Sequence, residues 1–425
     1  MGARADAPPG QDRELGECVL LPGLVNAHTH LELTAFRGLL EELSFAEWIF
    51  RLQAAKREVM TPDGYLDAAR HGIVEGLEAG ITTYADTCDS GAAVTAMREL
   101  GVRGIVYQEV FGPAPEQCAP AIGDLRDRLA ALRAESTDLV EVGVSPHAPF
   151  TVSDELYRAV ATLARDERLP VAAHISESEA ETELVRDAGG VFAAGLRSRA
   201  IPVVPRARSS VALLERTGVL ATSPLLIHCV RADDADLATI AAHRCSIAHC
   251  PVSNAKLGHG IAPLARMLEL GINVGLGSDS VASNNRMDLI DEARAAVLFR
   301  RVAASNGTRL DARGALELAT IGGARALGLG DRIGSLEVGK AADLVAFDLT
   351  SAADVPGEDP VTALIFARAG RRARCVVVAG TVRVWDGVVR HEDLGMVERV
   401  RTLGRRLARA IRSGASGLAS DASHA

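Results

Sequence analysis

Short apolar, β-branched runs recur along most of the chain, each followed by a longer stretch rich in Ala, Leu, Glu and Arg. The runs read as strands at 23–28 (GLVNAH), 81–86, 104–110, 141–146, 171–176, 225–230, 246–250 and 273–279. Strands alternating with helices imply right-handed βαβ crossovers and a parallel sheet. Eight such units within residues 23–333 suit an α/β fold of the closed (β/α)8 TIM barrel type, with a doubly wound open sheet as the alternative.

Past residue 335 the pattern changes. The segments 334–349 and 374–390 read as short strands joined by Gly and Asp turns, with no helix between. They predict a small β domain over 334–392, to which residues 1–22 contribute, a composite β-sandwich beside the barrel. Residues 393–425 close the chain. Within them, 396–412 place Val400, Leu403, Leu407 and Ile411 on one side of a helix with arginines opposite. Packing on the barrel is the expectation, binding to a membrane surface the weaker alternative. The terminal SGASGLASDASHA is expected to be disordered.

Composition acts mainly by exclusion. With 48% hydrophobic and 24% charged residues the chain is an ordinary globular protein. No apolar run approaches the roughly 18 residues of a membrane span, and the start MGARADAPPGQD lacks the apolar core of a secretory signal, so a cytoplasmic location is expected. Seven cysteines without a C-x-x-C pair read as reduced thiols. A net charge of −9 removes the main driving force for nucleic-acid binding and favours a small-molecule partner.

Against this background GLVNAHTHLEL, residues 23–33, stands out. Strand side chains alternate, so His28 and His30 point the same way at the end of the first barrel strand, toward the barrel mouth. His174, His228, His249 and Asp279 occupy the same end of the fifth to eighth strands. Imidazoles and a carboxylate converging in a barrel without a partner would carry a desolvation penalty of several kcal/mol, which a shared divalent cation removes. Such a donor set suits zinc, although iron or manganese would accept it. The lysines, Lys56, Lys256 and Lys340, all lie off the fourth strand, so no carbamylated lysine bridges two ions there and a single metal is expected unless a carboxylate bridges instead. Glu177, three residues beyond His174, is placed to shuttle protons for metal-assisted hydrolysis. Glu179, Glu181 and Glu183 read as helix N-terminal acids. His71, His243, His259, His391 and His424 read as structural or exposed.

Several long motifs in order make the chain resemble the amidohydrolase superfamily, in its cytosine-deaminase-like and chlorohydrolase branch, which includes guanine, S-adenosylhomocysteine and aminofutalosine deaminases. They are LPGLVNAHTHLE, GVSPHAPFTVS, HISESEAE, IHCV, HCPVSNAKLGHGIAP, GSDSVASNN and IGSLEVGKAADLVAFD. The resemblance implies metal ligation by His28, His30, His174 and Asp279. It makes His228 a partner of the metal's water or a ligand, Glu177 the proton shuttle with Asp279, and His147, His249 and Trp48 substrate contacts, helix packing being as good a reading for Trp48. It also implies hydrolytic deamination of an aminated nitrogen heterocycle or nucleoside by metal-activated water, with dechlorination or cyclic-amide hydrolysis on the same site as the alternative. A non-catalytic scaffold would be expected to lack these ligands. A homodimer is a further expectation. There are three departures: only 27 residues precede His28, which implies a reduced β domain or a misplaced start, while Arg231 after HCV and GSDS in place of the commoner GTDG weaken transfer of the substrate.

Overall fold

The computed structural model describes residues 13–303, 310–352, 354–367, 372–391, 393 and 395–421. Its strands are β1 (Cys18–Pro22), β2 (Leu24–Thr29), β3 (Ile81–Cys88), β4 (Arg103–Val110), β5 (Val140–Pro146), β6 (Ala172–Ile175), β7 (Leu225–His228), β8 (Ser246–His249), β9 (Val274–Leu276), β10 (Leu344–Asp348), β11 (Cys375–Val378), β12 (Thr381–Trp385) and β13 (Val388–Val389). β2 to β5 pair in sequence order, all parallel, and so do β6 to β9. Two seams close the ring. Val144 on β5 bridges Val171 just ahead of β6, its N–H donating to Pro170 O at 2.9 Å, and Thr29 on β2 bridges Asp279 beyond β9, the Asp279 N–H donating to His28 O at 3.0 Å. The eight strands expected from the apolar runs thus form the (β/α)8 barrel.

Alternation along each strand sorts side chains between two cores. Val25, Ala27, Ile105, Ile227, Ala248 and Cys250 share one buried cluster, the barrel interior. Their neighbours Leu24, Val106, Leu226 and Ile247 join the larger cluster under the helices. Gly275 marks a close approach: a Cβ there would lie 2.7 Å from Gly323 Cα and 2.8 Å from Ala27 Cβ.

The small domain is composite, since β1 from the N-terminal side pairs antiparallel with β10, Cys18 opposite Asp348. Its described residues form a single five-stranded antiparallel sheet, β1-β10-β11-β12-β13, in place of two facing ones. Contrary to the expectation of strands alone, helix Pro360–Ala367 intervenes between β10 and β11. Asp359 accepts from the Val361 N–H at its start, and Val361, Leu364 and Ile365 are buried. Arg103, at the start of β4, ties the barrel to this domain through Asp343, Nε to Oδ2 at 2.8 Å, both side chains buried. Asp343→Ala would strand a guanidinium away from water, and a loss of about 3–5 kcal/mol is expected in urea unfolding. A loss under about 1 kcal/mol would show that the pair is not a structural tie.

The last helix, Met396–Asp421, buries Val400, Leu403, Leu407 and Ile411 in a cluster with Trp48, Leu52 and Val59 of helix Phe45–Val59. Each such side chain contributes about 1.5–3 kcal/mol, which assigns its apolar face to packing. The helix also runs through the stretch expected to be disordered as far as Asp421. Propagating an established helix costs far less than starting one. His424 lies outside the described residues. No helix among the described residues is long and apolar enough to cross a membrane, and all seven cysteines are free.

Candidate active site

Local irregularities at the strand ends aim the polar groups inward. With Val25 and Ala27 in the barrel interior, strict alternation would turn His28 outward. The β2–β3 register shifts between Asn26 and Thr29, a bulge that re-phases the strand. Gly277 makes room for it, since a Cβ there would sit 2.8 Å from His28 Cβ. His228 and Asp279 take φ of +74° and +56°, left-handed backbone that non-glycine residues seldom adopt outside sites that need it.

The result is one cluster. His28 Nε2 lies 3.2 Å and His30 Nε2 3.6 Å from Asp279 Oδ1, and His30 Nε2 lies 3.3 Å from His174 Nε2. Ligands bonded to a tetrahedral zinc at about 2.0–2.2 Å stand about 3.3 Å apart, which is the spacing found. The ring orientations agree. His174 Nδ1 donates to the His147 carbonyl at 3.3 Å, so its Nε2 presents a lone pair, and Thr87 Oγ1 lies 3.2 Å from His30 Nδ1. Burial holds His28 below the ordinary histidine range and His30 and His174 well below it, as neutral ligands require. Burial opposes ionisation of Asp279, but the hydrogen bond with His28 and the nearby imidazoles, His228 foremost, keep its carboxylate well below the usual range. Ser253 and Ser283 donate to its Oδ2 at 2.5 and 3.0 Å, and the Ser280 N–H to Oδ1 at 2.6 Å. These four groups fit a divalent cation. His228 comes within 4.8 Å of His28 and His174 and is near enough to join them.

Glu177 lies beside this cluster, buried. Its Oε1 is 3.5 Å from His228 Nε2 and 3.2 Å from His259 Nε2. Burial alone would raise its pKa; the two imidazoles overcome this and hold it below the ordinary carboxylate value. Asn254 Oδ1, 3.0 Å from His228 Nδ1, fixes the angle of that ring. His259, read from the sequence as structural or exposed, is only 4% exposed. The signal was its place in HCPVSNAKLGHGIAP, since loops after barrel strands build the mouth.

Glu181 is likewise more than a helix N-terminal acid. Fully buried, it accepts from the Ser176 N–H at 2.7 Å and the Glu177 N–H at 3.3 Å, clamping the turn that carries Glu177. Burial pushes its pKa up to about 7, against an ordinary 4.5. Between those values the folded chain keeps a proton that the unfolded chain has released, so stability falls as pH rises through the window. Urea unfolding at pH 5 and pH 8 is expected to show a decline in the wild type larger than that in Glu181→Gln by on the order of 3 kcal/mol. Parallel pH profiles would contradict this.

A cavity of about 670 Å³ opens onto the cluster, in the range that encloses a drug-sized ligand. His30, His174, Glu177, His228 and Asp279 line it, as do His147 and Trp48. His147 is fixed through Nδ1 by Thr151 Oγ1 at 2.8 Å, and burial lowers its pKa to about 4. Trp48 packs in the helical core, its Nε1 donating to Ala282 O at 3.3 Å, and also lines the cavity. Phe45 meets Phe192 edge-on at the mouth, and Phe192 stacks on Phe150 with centroids 4.2 Å apart. His249 is the exception among the expected contacts. Ala248 and Cys250 point into the barrel, so parity turns His249 outward, where it lines a separate small cavity with Asn254 and Phe299.

Comparison with known proteins agrees with this architecture. Residues 19–383 match the Amidohydrolase family. A 5-methylthioadenosine/S-adenosylhomocysteine deaminase from Syntrophobacter fumaroxidans is 34% identical over 94% of this chain and 88% of its own. Among solved structures, an adenosine deaminase from Xanthomonas campestris with bound zinc superposes with a TM-score of 0.81, at 30% identity over 92% of this chain and 86% of that one. The zinc complex of an atrazine chlorohydrolase from Arthrobacter aurescens gives 0.79, at 26% identity over 91% and 88%. A family match across nearly the whole chain, on a barrel whose strand ends gather this donor set, shows that the chain belongs to the amidohydrolase family of hydrolases.

Proposed function

We propose that this chain is a metal-dependent aminohydrolase that releases ammonia from an aminated nitrogen heterocycle carried on a nucleoside. The observation that carries the reading is the Glu177 carboxylate, buried against His228 and His259 and lining the same cavity as the ligand cluster. The names of the relatives, deaminases of adenine nucleosides, support the substrate class.

A divalent cation held by His28, His30, His174 and Asp279, zinc by preference, would supply Lewis acidity and a water that ionises near neutral pH. The chain's own groups do the rest. Glu177, ionised at neutral pH, takes a proton from water and returns it to the ring nitrogen beside the amino-bearing carbon. Asp279 takes the remaining proton from the added hydroxyl and passes it to the departing amino group, so that the C–N bond breaks to release ammonia and leave a carbonyl. His228, its ring angle set by Asn254, steadies the tetrahedral centre as charge builds there. The aromatic mouth around Phe45 and Phe192 excludes bulk water. The free cysteines support a cytoplasmic location for the enzyme.

The test is a screen of zinc-loaded protein for ammonia release over aminated purines, nucleosides, pterins and triazines. Ammonia from adenine nucleosides is the expected result. Chloride from chlorotriazines without ammonia from any nucleoside would overturn it in favour of dechlorination.

A further inference from the structure

One polar group in the cavity wall takes no part in this chemistry. Glu109, at the end of β4, lines the cavity at 7% exposure, and its Oε1 is buried with no hydrogen-bond partner among the described residues. Its neighbour His147 Nε2 is 3.9 Å away, beyond hydrogen-bond reach. Buried polar atoms in native proteins are almost always matched, so an unmatched one facing a cavity points to a ligand atom.

The surroundings define that atom. Lys56, on the same wall, has its charge taken up by Glu32, 3.2 Å from Nζ. Glu32 in turn accepts from the Ser90 N–H at 3.0 Å. That pair neutralises the charge of Lys56, the lysine on this wall, while Arg57 and Arg199 also line the cavity. Burial raises the Glu109 pKa above the carboxylate range, and in either protonation state its unmatched oxygen can accept a hydrogen from a ligand atom. A hydroxyl, itself both donor and acceptor, is the complementary group.

We propose that Glu109 is a specificity-determining residue of the cavity, hydrogen-bonded to a hydroxyl of the substrate's sugar. This rests on the nucleoside reading above. The competing occupant is a second cation, because Glu109, His147 and His174 offer ligand atoms within 4.8 Å of one another. His174 Nε2, however, already faces His30.

Binding in a turnover-deficient Glu177→Gln background tests the proposal without depending on the reaction. Calorimetric titration of the zinc-loaded protein with adenosine, 2′-deoxyadenosine, 3′-deoxyadenosine and adenine is expected to show adenosine binding about 10–100-fold tighter than the analogue lacking the contacted hydroxyl. Adding Glu109→Met, which keeps the volume and removes the polar end, should shrink that preference to within about 3-fold and leave adenine binding unchanged. Glu109→Gln should restore most of it. If Glu109→Met fails to fold, the parent's ranking of the two deoxy analogues and the Gln variant still decide. A preference that survives Glu109→Met, or an equal loss for adenosine and adenine, would overturn the assignment. So would two zinc ions per chain falling to one. Adenosine and adenine binding equally to the parent overturns the assignment alone, whereas neither binding overturns the nucleoside reading and carries this one with it.

Discussion

Glu177→Gln is expected to cut ammonia release by about 10³-fold or more while leaving the metal content and the unfolding temperature near those of the wild type. Glutamine has the same shape and fills the same buried space beside His228 and His259, so packing is kept. What disappears is a carboxylate that those imidazoles hold below its ordinary pKa, and with it the group able both to accept a proton from water and to deliver one to the ring. Because the same oxygen would act twice, the loss belongs at the upper end of the range for general acid–base catalysis. Turnover within tenfold of wild type would remove Glu177 from the mechanism, and loss of metal would reassign it as a structural support of the cluster.

The second large effect is expected at Asp279. Asp279→Asn keeps the volume but removes the carboxylate that lies beside both His28 and His30. Bound zinc should be lost to a mild chelator and turnover should fall by about 10⁴-fold. Ser253→Ala provides the graded control. Its hydroxyl donates to Asp279 Oδ2 at 2.5 Å, and Ser283 donates to the same oxygen, so metal affinity should drop only about 10–100-fold. Equal effects from the two substitutions would mean that Asp279 orients the other groups without itself binding metal.

The barrel was legible because its strands are buried on both faces and read as short β-branched runs, and each of the eight runs overlaps an observed strand. His28, His30, His174 and Asp279 could be picked out because few roles other than metal binding bring such groups together at strand ends. Alternation along the strand was a sound guide only where the backbone stays regular. At β2 a bulge re-aims His28, at β7 a left-handed residue re-aims His228, and at β8 regular pleating carries His249 away from the cavity. None of these is visible in residue types. The supports were hidden for another reason. Asn254, Ser253 and Glu181 are common residue types whose importance lies wholly in what they touch. Glu109 lies at the end of β4 and His259 beyond the helix that follows β8, and the two reach the site in space but not along the chain.

The account stands or falls on where one cation binds. An anomalous difference map recorded at the zinc edge from crystals of the zinc-loaded protein should show a single strong peak per chain, within about 2.0–2.2 Å of His28, His30, His174 and Asp279. A map with no peak there, or with its peak bonded to other residues, would contradict it.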